Sequence, residues 1–338
     1  MQYYRRTIVF SKRPLKEAFC YRDMFIIQPI TRANIPRSPY ANHFPAFLDF
    51  QIETKERLEE YDLIQKDIDT AKRICSLLTA LSNFEFFTYN SNMSQWGFVA
   101  PSVSFEELSR DEEDRYNETA KTSVWVPFAV YTYPEYTQDC VINSLSILGD
   151  NTEMNLDANP LYFTDNPIQE QKEKVTFQEK LTDVLDSFYS LPEGDRRTVY
   201  SAIVLVANGI KLGVQHQSIG FVSFISSIET MIDFENKQAK KEFCEACGQP
   251  KYSVRKKFLD YLAKYVSRTD TSKKKFDRLY KLRSNIAHTG KLFLMDVEFS
   301  LLNKDTMNEE WYTFIDAQQL ARLSLFRWLL LNNPNREL

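Results

Sequence analysis

Apolar residues recur along this chain in two rhythms, and the rhythm changes near the middle. Over residues 1–50 short apolar patches alternate with Pro14, Pro29, Pro36, Pro39 and Pro45. Proline interrupts helices and central strands alike, so this pattern predicts extended segments joined by loops. From Tyr61 the spacing changes to threes and fours. Tyr61, Ile64, Ile68, Ala71, Cys75 and Leu78 line one side of a predicted helix, with charged residues between them. Phe84–Tyr89 and Gln95–Ala100 then read as strands across a polar Asn/Ser turn. Thr122–Tyr133 reads as another, which Pro127 restricts to a sheet edge or a bulge. The first half is therefore expected to be mixed α/β.

Between about 140 and 174 the rhythm fades. Asn143, Asp150, Asn151, Asn155, Asp157, Asn159, Pro160, Asp165, Asn166 and Pro167 punctuate this stretch, which reads as an inter-domain connection. The expected domains are residues 1–170 and 171–338. Beyond the connection only helical spacing is found. Phe177, Leu181, Val184, Leu185 and Phe188 form one apolar stripe. Pro192 opens a helix through Val199, Ile203, Val206 and Ile210, and Phe221, Phe224, Ile225, Ile228 and Ile232 form a third. Phe258–Val266 and Phe276–His288 give two more, and Asp316 is expected to cap a last helix through Leu331. Six amphipathic helices without strands between them predict a helical bundle, and the whole chain an α+β protein. The apolar excess of the last helix (Leu325, Phe326, Trp328, Leu329, Leu330 and Leu331) suits an interface or a core equally. No internal repeat is found.

Composition narrows the function classes. The chain has 338 residues, 43% of them hydrophobic and 26% charged, enough for two domains and a sizeable core. An aromatic content of 14% is expected to serve packing more than base stacking. Only eight glycines are present and no phosphate-cradling glycine loop, which argues against an ATPase or a dinucleotide enzyme. Five cysteines, an odd number, fit a reducing cytoplasm better than a disulfide framework. No signal peptide is read at the N-terminus, and the longest apolar runs are too short to span a bilayer. No cofactor and no membrane partner are expected.

Charge is strongly segregated. Residues 251–291 carry thirteen Lys/Arg against three Asp, a net of +10, in a chain whose total is −4. Everything outside the segment therefore sums to −14. A cationic surface of this kind gains affinity for polyanions by releasing their counterions. Inside it lies Leu279-Tyr280-Lys281-Leu282-Arg283-Ser284-Asn285-Ile286-Ala287-His288-Thr289-Gly290-Lys291-Leu292, with one of only three histidines. On a regular helix the five residues from Arg283 to His288 leave the two side chains roughly 140° apart. Gly290 is placed to end the helix, which puts His288 in its last turn. There the helix field favours a protonated imidazole, by up to about 2 kcal/mol in good geometry. On spacing alone, a surface ion pair for Arg283 and a capping role for His288 account for both residues. In a field of cations, the same pair points to chemistry on a phosphodiester.

Arg-x4-His on the penultimate helix of an all-helical domain resembles the HEPN superfamily. The words around it, Lys281-Leu282-Arg283-Ser284-Asn285-Ile286-Ala287-His288-Thr289-Gly290, are similar to its ApeA-like branch, as is Phe243-Cys244-Glu245-Ala246-Cys247-Gly248-Gln249 ahead of the basic helix. The resemblance covers about residues 175–338. In many members a polar residue, often Asn, directly follows the arginine; here Ser284 holds that place and Asn285 comes next.

The resemblance implies a metal-independent endoribonuclease, active as a homodimer in which the Arg–His motifs of two subunits face one cleft. It also implies a bacterial toxin or antiviral defence effector, with an antitoxin or trigger as a possible partner and residues 1–170 sensing the trigger or recruiting substrate. In that reading His288 moves the protons, Arg283 stabilises the phosphorane, and Ser284 and Asn285 orient phosphate or imidazole. The alternative is a non-catalytic HEPN-like module for nucleic-acid binding or dimerisation. A third reading is a scaffold whose basic segment meets an acidic protein. Glu229 interrupts an apolar stripe and reads either as a partner that orients Arg283 or as an exposed helix position. Arg255, Lys256, Lys257, Lys273, Lys274, Lys275, Lys281 and Lys291 are candidate RNA-backbone contacts, and the same residues suit a solvated face. Cys244 and Cys247 form the only CxxC. A structural zinc needs four ligands, so a reduced, turn-stabilising pair stands beside that possibility.

Overall fold

A computed structural model of the chain describes residues 1–30, 43–88, 141–165, 171–237, 254–298 and 304–332. The chain divides into two compact units. The first comprises Met1–Leu78, Phe84–Leu156 and Gln169–Thr176, and the second Thr79–Asn83, Asp157–Ile168 and Phe177–Leu338. The expected division at 170/171 is a single cut, whereas these ranges pass between the units several times. Among the described residues no helix is long and apolar enough to cross a membrane. The strand readings at Gln95–Ala100 and Thr122–Tyr133 lie outside the described residues.

The first unit is built on an antiparallel sheet, so with the helical second unit the chain is α+β. Its strands are β1 (Gln2–Ser11), β2 (Phe19–Tyr21), β3 (Phe25–Pro29), β4 (Phe44–Glu53), β5 (Phe86–Phe87) and β6 (Val141–Ile142). They run in the order β2-β3-β4-β1-β5, with β6 also on β1. Strands β1 and β4 pair over their full length, Gln2 opposite Glu53 and Ser11 opposite Phe44. Ile8, Val9, Phe10, Phe25, Ile27, Leu48 and Phe50 are all nearly or fully buried. Arg6 stands directly opposite Asp49, and both are buried. Two charges survive there because they satisfy each other: the Arg6 Nε and Nη2 atoms donate to Asp49 at 2.6 and 2.7 Å, and Gln28 Nε2 adds a third bond at 2.8 Å.

The predicted helix appears as α1 (Glu60–Leu81). Ile68, Ala71, Cys75 and Leu78 face the core as expected, but Tyr61, the first residue of the stripe, is exposed. The stretch read as a connection is not one throughout. Residues 151–156 dock on the sheet unit through Ala18. Tyr162 and Phe163 are buried in the second unit, Phe163 against Phe326 at 5.0 Å between ring centroids. Polar punctuation dominates that segment, and its few buried side chains lack any periodicity that would reveal them.

The second unit is helical: α2 (Leu181–Ser190), α3 (Glu193–Gly213), α4 (Gln217–Glu235), α5 (Val254–Tyr265), α6 (Asp270–Thr289), α7 (Leu294–Val297) and α8 (Lys304–Leu331). Pro192 directly precedes α3, at the helix start where it was expected, without a side-chain cap bond. Phe177 is buried but precedes α2. Helix α8 starts twelve residues before Asp316, which is not its cap and pairs with Lys275 at 2.6 Å. Leu325, Phe326, Trp328 and Leu329 are buried, so most of the apolar excess of α8 belongs to the unit's own core. Helices α3 and α4 cross at glycines: a Cβ on Gly220 would lie 2.5 Å from the Gly209 carbonyl oxygen.

Two outcomes test these assignments. Gly220→Ala forces backbone apart and is expected to cost about 1–3 kcal/mol in denaturant unfolding. The second concerns Asp67, on α1, which receives Arg5 Nε at 2.8 Å yet is pushed from an ordinary value near 3.8 up to about 6, because burial outweighs the guanidinium. A raised acid keeps its proton longer in the folded chain, so this group makes stability fall as pH rises from about 4 to 6. Asp67→Asn is expected to remove that slope, read from unfolding free energies across the window.

Candidate functional site

Helix α6 carries the Arg-x4-His motif, and its ends are defined by local chemistry. Thr269 caps the start, its hydroxyl accepting from the Ser272 amide at 3.2 Å. Gly290 ends it in the left-handed conformation at φ 68°, where a side chain would be strained. Phe276, Leu279 and Ile286 are buried and set how the helix is rotated about its axis.

That rotation turns Arg283 toward α4. Its Nη2 donates to Glu229 Oε2 at 2.8 Å, with the two side chains 23% and 18% exposed. Of the two readings of Glu229, the structure shows the pairing. Burial raises the Glu229 pKa, Arg283 opposes the rise, and Asp233 adds to it. Arg283 Nε is buried without a hydrogen-bond partner. Among the described residues its second amino group has none either, which leaves one edge of the guanidinium uncommitted.

His288 is exposed in the last turn of α6, as expected, and its imidazole has no partner among the described residues. The helix places it about 140° around the axis from Arg283. Within one chain the structure therefore joins Arg283 to Glu229 and does not join Arg283 to His288. Ser284 is half-buried and Asn285 exposed, both without side-chain partners among the described residues.

The segment after His288 is pinned at several points. Phe293 is buried against Phe221, and its amide donates to Ser218 Oγ at 2.7 Å. Asp296 accepts the amides of Gln217 and Ser218 at 2.8 and 2.7 Å, satisfying the otherwise uncapped start of α4. Glu310 accepts the Leu294 amide at 2.8 Å. Asp296 and Glu310 were missed in the sequence, because a capping carboxylate remote along the chain leaves no local spacing to read.

The candidate RNA contacts divide by their partners. Arg255 and Lys281 both pair with Asp277, Lys273 lies 3.5 Å from Asp270, and Lys275 is held by Asp316. The two cations around Asp277 hold its pKa down at about 2. Lys274 and Lys291 are exposed and Lys257 is half-buried, all without partners among the described residues. Lys256 is exposed on α5. Cys244 and Cys247 lie outside the described residues.

No family model matches this chain, and neither a curated protein nor a solved structure matches it.

The Arg283–Glu229 pair is expected to couple by about 1–2 kcal/mol, between the values for exposed and buried ion pairs. A double-mutant cycle of Arg283→Ala and Glu229→Ala, read by denaturant unfolding, measures it. Additive single effects would show that α4 and α6 gain nothing from the contact.

Proposed function

We propose that the chain is an endoribonuclease that cleaves RNA without a metal ion, the Arg283 and His288 side chains of two subunits meeting at one cleft. The observation that supports this reading is the contrast between the two residues. Arg283 is partly desolvated and held by Glu229 with one edge uncommitted, while His288 is exposed and unpaired at a rigidly capped helix end. The resemblance to the HEPN superfamily supplies the reaction.

In this mechanism one imidazole takes the proton of a ribose 2′-hydroxyl, and the 2′-oxygen attacks the adjacent phosphorus. The bond to the 5′-oxygen breaks, and the second imidazole gives that oxygen a proton. The products are a 2′,3′-cyclic phosphate and a 5′-hydroxyl, and DNA is inert because it lacks the 2′-hydroxyl. The planar fork of Arg283 suits two non-bridging oxygens and stabilises their charge in the transition state. Glu229 acts as a positioning residue by limiting the rotamers of Arg283. Ser284 and Asn285 are placed to orient phosphate or imidazole. Such an enzyme acts in the cytoplasm as a bacterial toxin or defence effector, restrained by an antitoxin or awaiting a trigger, with the sheet unit sensing or recruiting.

A non-catalytic nucleic-acid-binding or dimerisation module is the second reading. It needs no meeting of Arg283 and His288, which are not joined among the described residues of one chain. Purified protein is expected to cut single-stranded RNA in the presence of EDTA and leave cyclic phosphate ends. His288→Ala should abolish cutting with an unchanged thermal midpoint, and Arg283→Ala should lower it by about 10²–10³-fold. Equal RNA binding by wild type and His288→Ala, with cutting by neither, selects the non-catalytic module.

A further inference from the structure

Beside α6 lies a cleft of about 610 Å³, walled by that helix, by the turn after it and by the first half of α8. Its acids are already engaged. Asp277 holds Arg255 and Lys281, Glu309 holds Arg278, and Glu310 accepts the Leu294 amide. Among the described residues, the lining groups left without partners are the ammonium groups of Lys274 and Lys291, the carboxamide of Asn285 and the hydroxyl of Thr306. Leu282 and Leu292 add apolar surface, and Leu292 is 46% exposed. Among the described residues nothing covers that part of the Leu292 side chain, so it offers apolar surface to a ligand.

We propose that this cleft is a subsite for one unstacked nucleotide of single-stranded RNA, an inference that rests on the RNA reading above. The base lies against Leu282 and Leu292, Asn285 meets its hydrogen-bonding edge, and Lys274 and Lys291 neutralise the flanking phosphates. Each group has a reason. A base offers a flat apolar face together with donors and acceptors on one edge, and a carboxamide supplies both complements. The cleft volume falls within the range of about 300–1,000 Å³ that holds small ligands, which admits one nucleotide and excludes a duplex. Its α6 wall also leads toward His288. Lys281 and His288 are seven residues apart, within about 20° on the helix, and His288 stands roughly 10 Å further along the axis. A strand anchored here is delivered along α6 toward the exposed imidazole.

The probe is a short, fluorescent, single-stranded 2′-O-methyl RNA, which cannot be cut, titrated by anisotropy against the full chain at several salt concentrations. Lys274→Ala combined with Lys291→Ala is expected to weaken binding by at least about tenfold and to flatten the logarithmic salt slope by about 1.4, two phosphates at about 0.7 each. Leu292→Ser should weaken binding about threefold with an unchanged slope, since it removes apolar contact and no charge. That loss should vanish with a probe carrying an abasic residue. Lys211→Ala, a removed exposed charge on α3, should bind as wild type. Unchanged binding by the double variant, equal affinity for a duplex, or tighter binding of an acidic peptide overturns the cleft assignment. Cutting of unmodified RNA by wild type is scored separately. If the double variant binds unchanged while wild type cuts, only the cleft assignment fails. If wild type does not cut but loses binding in the double variant, the cleft stands and the nuclease reading fails.

Discussion

A helix turns about 100° per residue, and that single constraint governs everything α6 presents. Three buried side chains, Phe276, Leu279 and Ile286, commit one side of the helix to the core. With the rotation settled, Arg283 has to face α4 and His288 has to face away from it. Unwinding the last turn to bring them together would expose Ile286 and break the Gly290 cap. The same rotation that forbids the pair within one chain makes each member presentable to another. Arg283 keeps an edge beside Glu229, and His288 stands clear of its neighbours. The two-subunit chemistry proposed here is the arrangement that this geometry leaves open.

Helix ends usually fray, and an imidazole in a frayed turn has no defined position. Here the turn is held from both directions. Gly290 closes the helix, and within eight residues of His288 the chain gives Phe293 to the core, its amide to Ser218 and its Asp296 carboxylate to two amides of α4. Those contacts serve two helices at once, because the start of α4 has no side-chain cap of its own. The cost of fixing the turn is therefore shared with the cost of capping α4. Charge is shared in a similar way. Part of the basic excess of residues 251–291 is met by acids from outside the segment, Glu235 on Lys264, Asp316 on Lys275, Glu309 on Arg278 and Glu229 on Arg283, and the rest stays cationic.

The helical rhythm was legible because packing repeats every three or four residues: Val199, Ile203, Val206 and Ile210 are buried as their spacing predicts. Gly290 was legible because glycine takes a left-handed φ without strain, whereas the sequence left Glu229 open between a partner for Arg283 and an exposed position, and the contact decides it. Other features left no local mark. The first turns of α8 are exposed and polar, so the apolar signal begins late and Asp316 resembled a cap. Tyr61 fits the stripe of α1 but stands exposed in the helix's first turn. Tyr162 and Phe163 sit among turn-forming residues, and aperiodic burial cannot be read from spacing. Nor does the sequence show that Arg6 and Asp49 are opposite one another, since strand register over forty residues depends on the fold itself.

The Arg283–Glu229 pair also carries an energetic consequence for the proposed chemistry. Burial already raises the Glu229 pKa, and only Arg283 holds it down. A phosphate drawn to the free edge of Arg283 brings a second negative charge to the same guanidinium. That charge repels the carboxylate, so binding phosphate and protonating Glu229 favour one another. Removing the acid altogether would free Arg283 but also release its rotamers, and a cation that must be ordered by substrate stabilises the transition state less than one held in place. A half-buried carboxylate with a raised pKa lies between these extremes. In the proposed enzyme it would restrain the guanidinium before substrate binds and give up part of its charge as phosphate arrives.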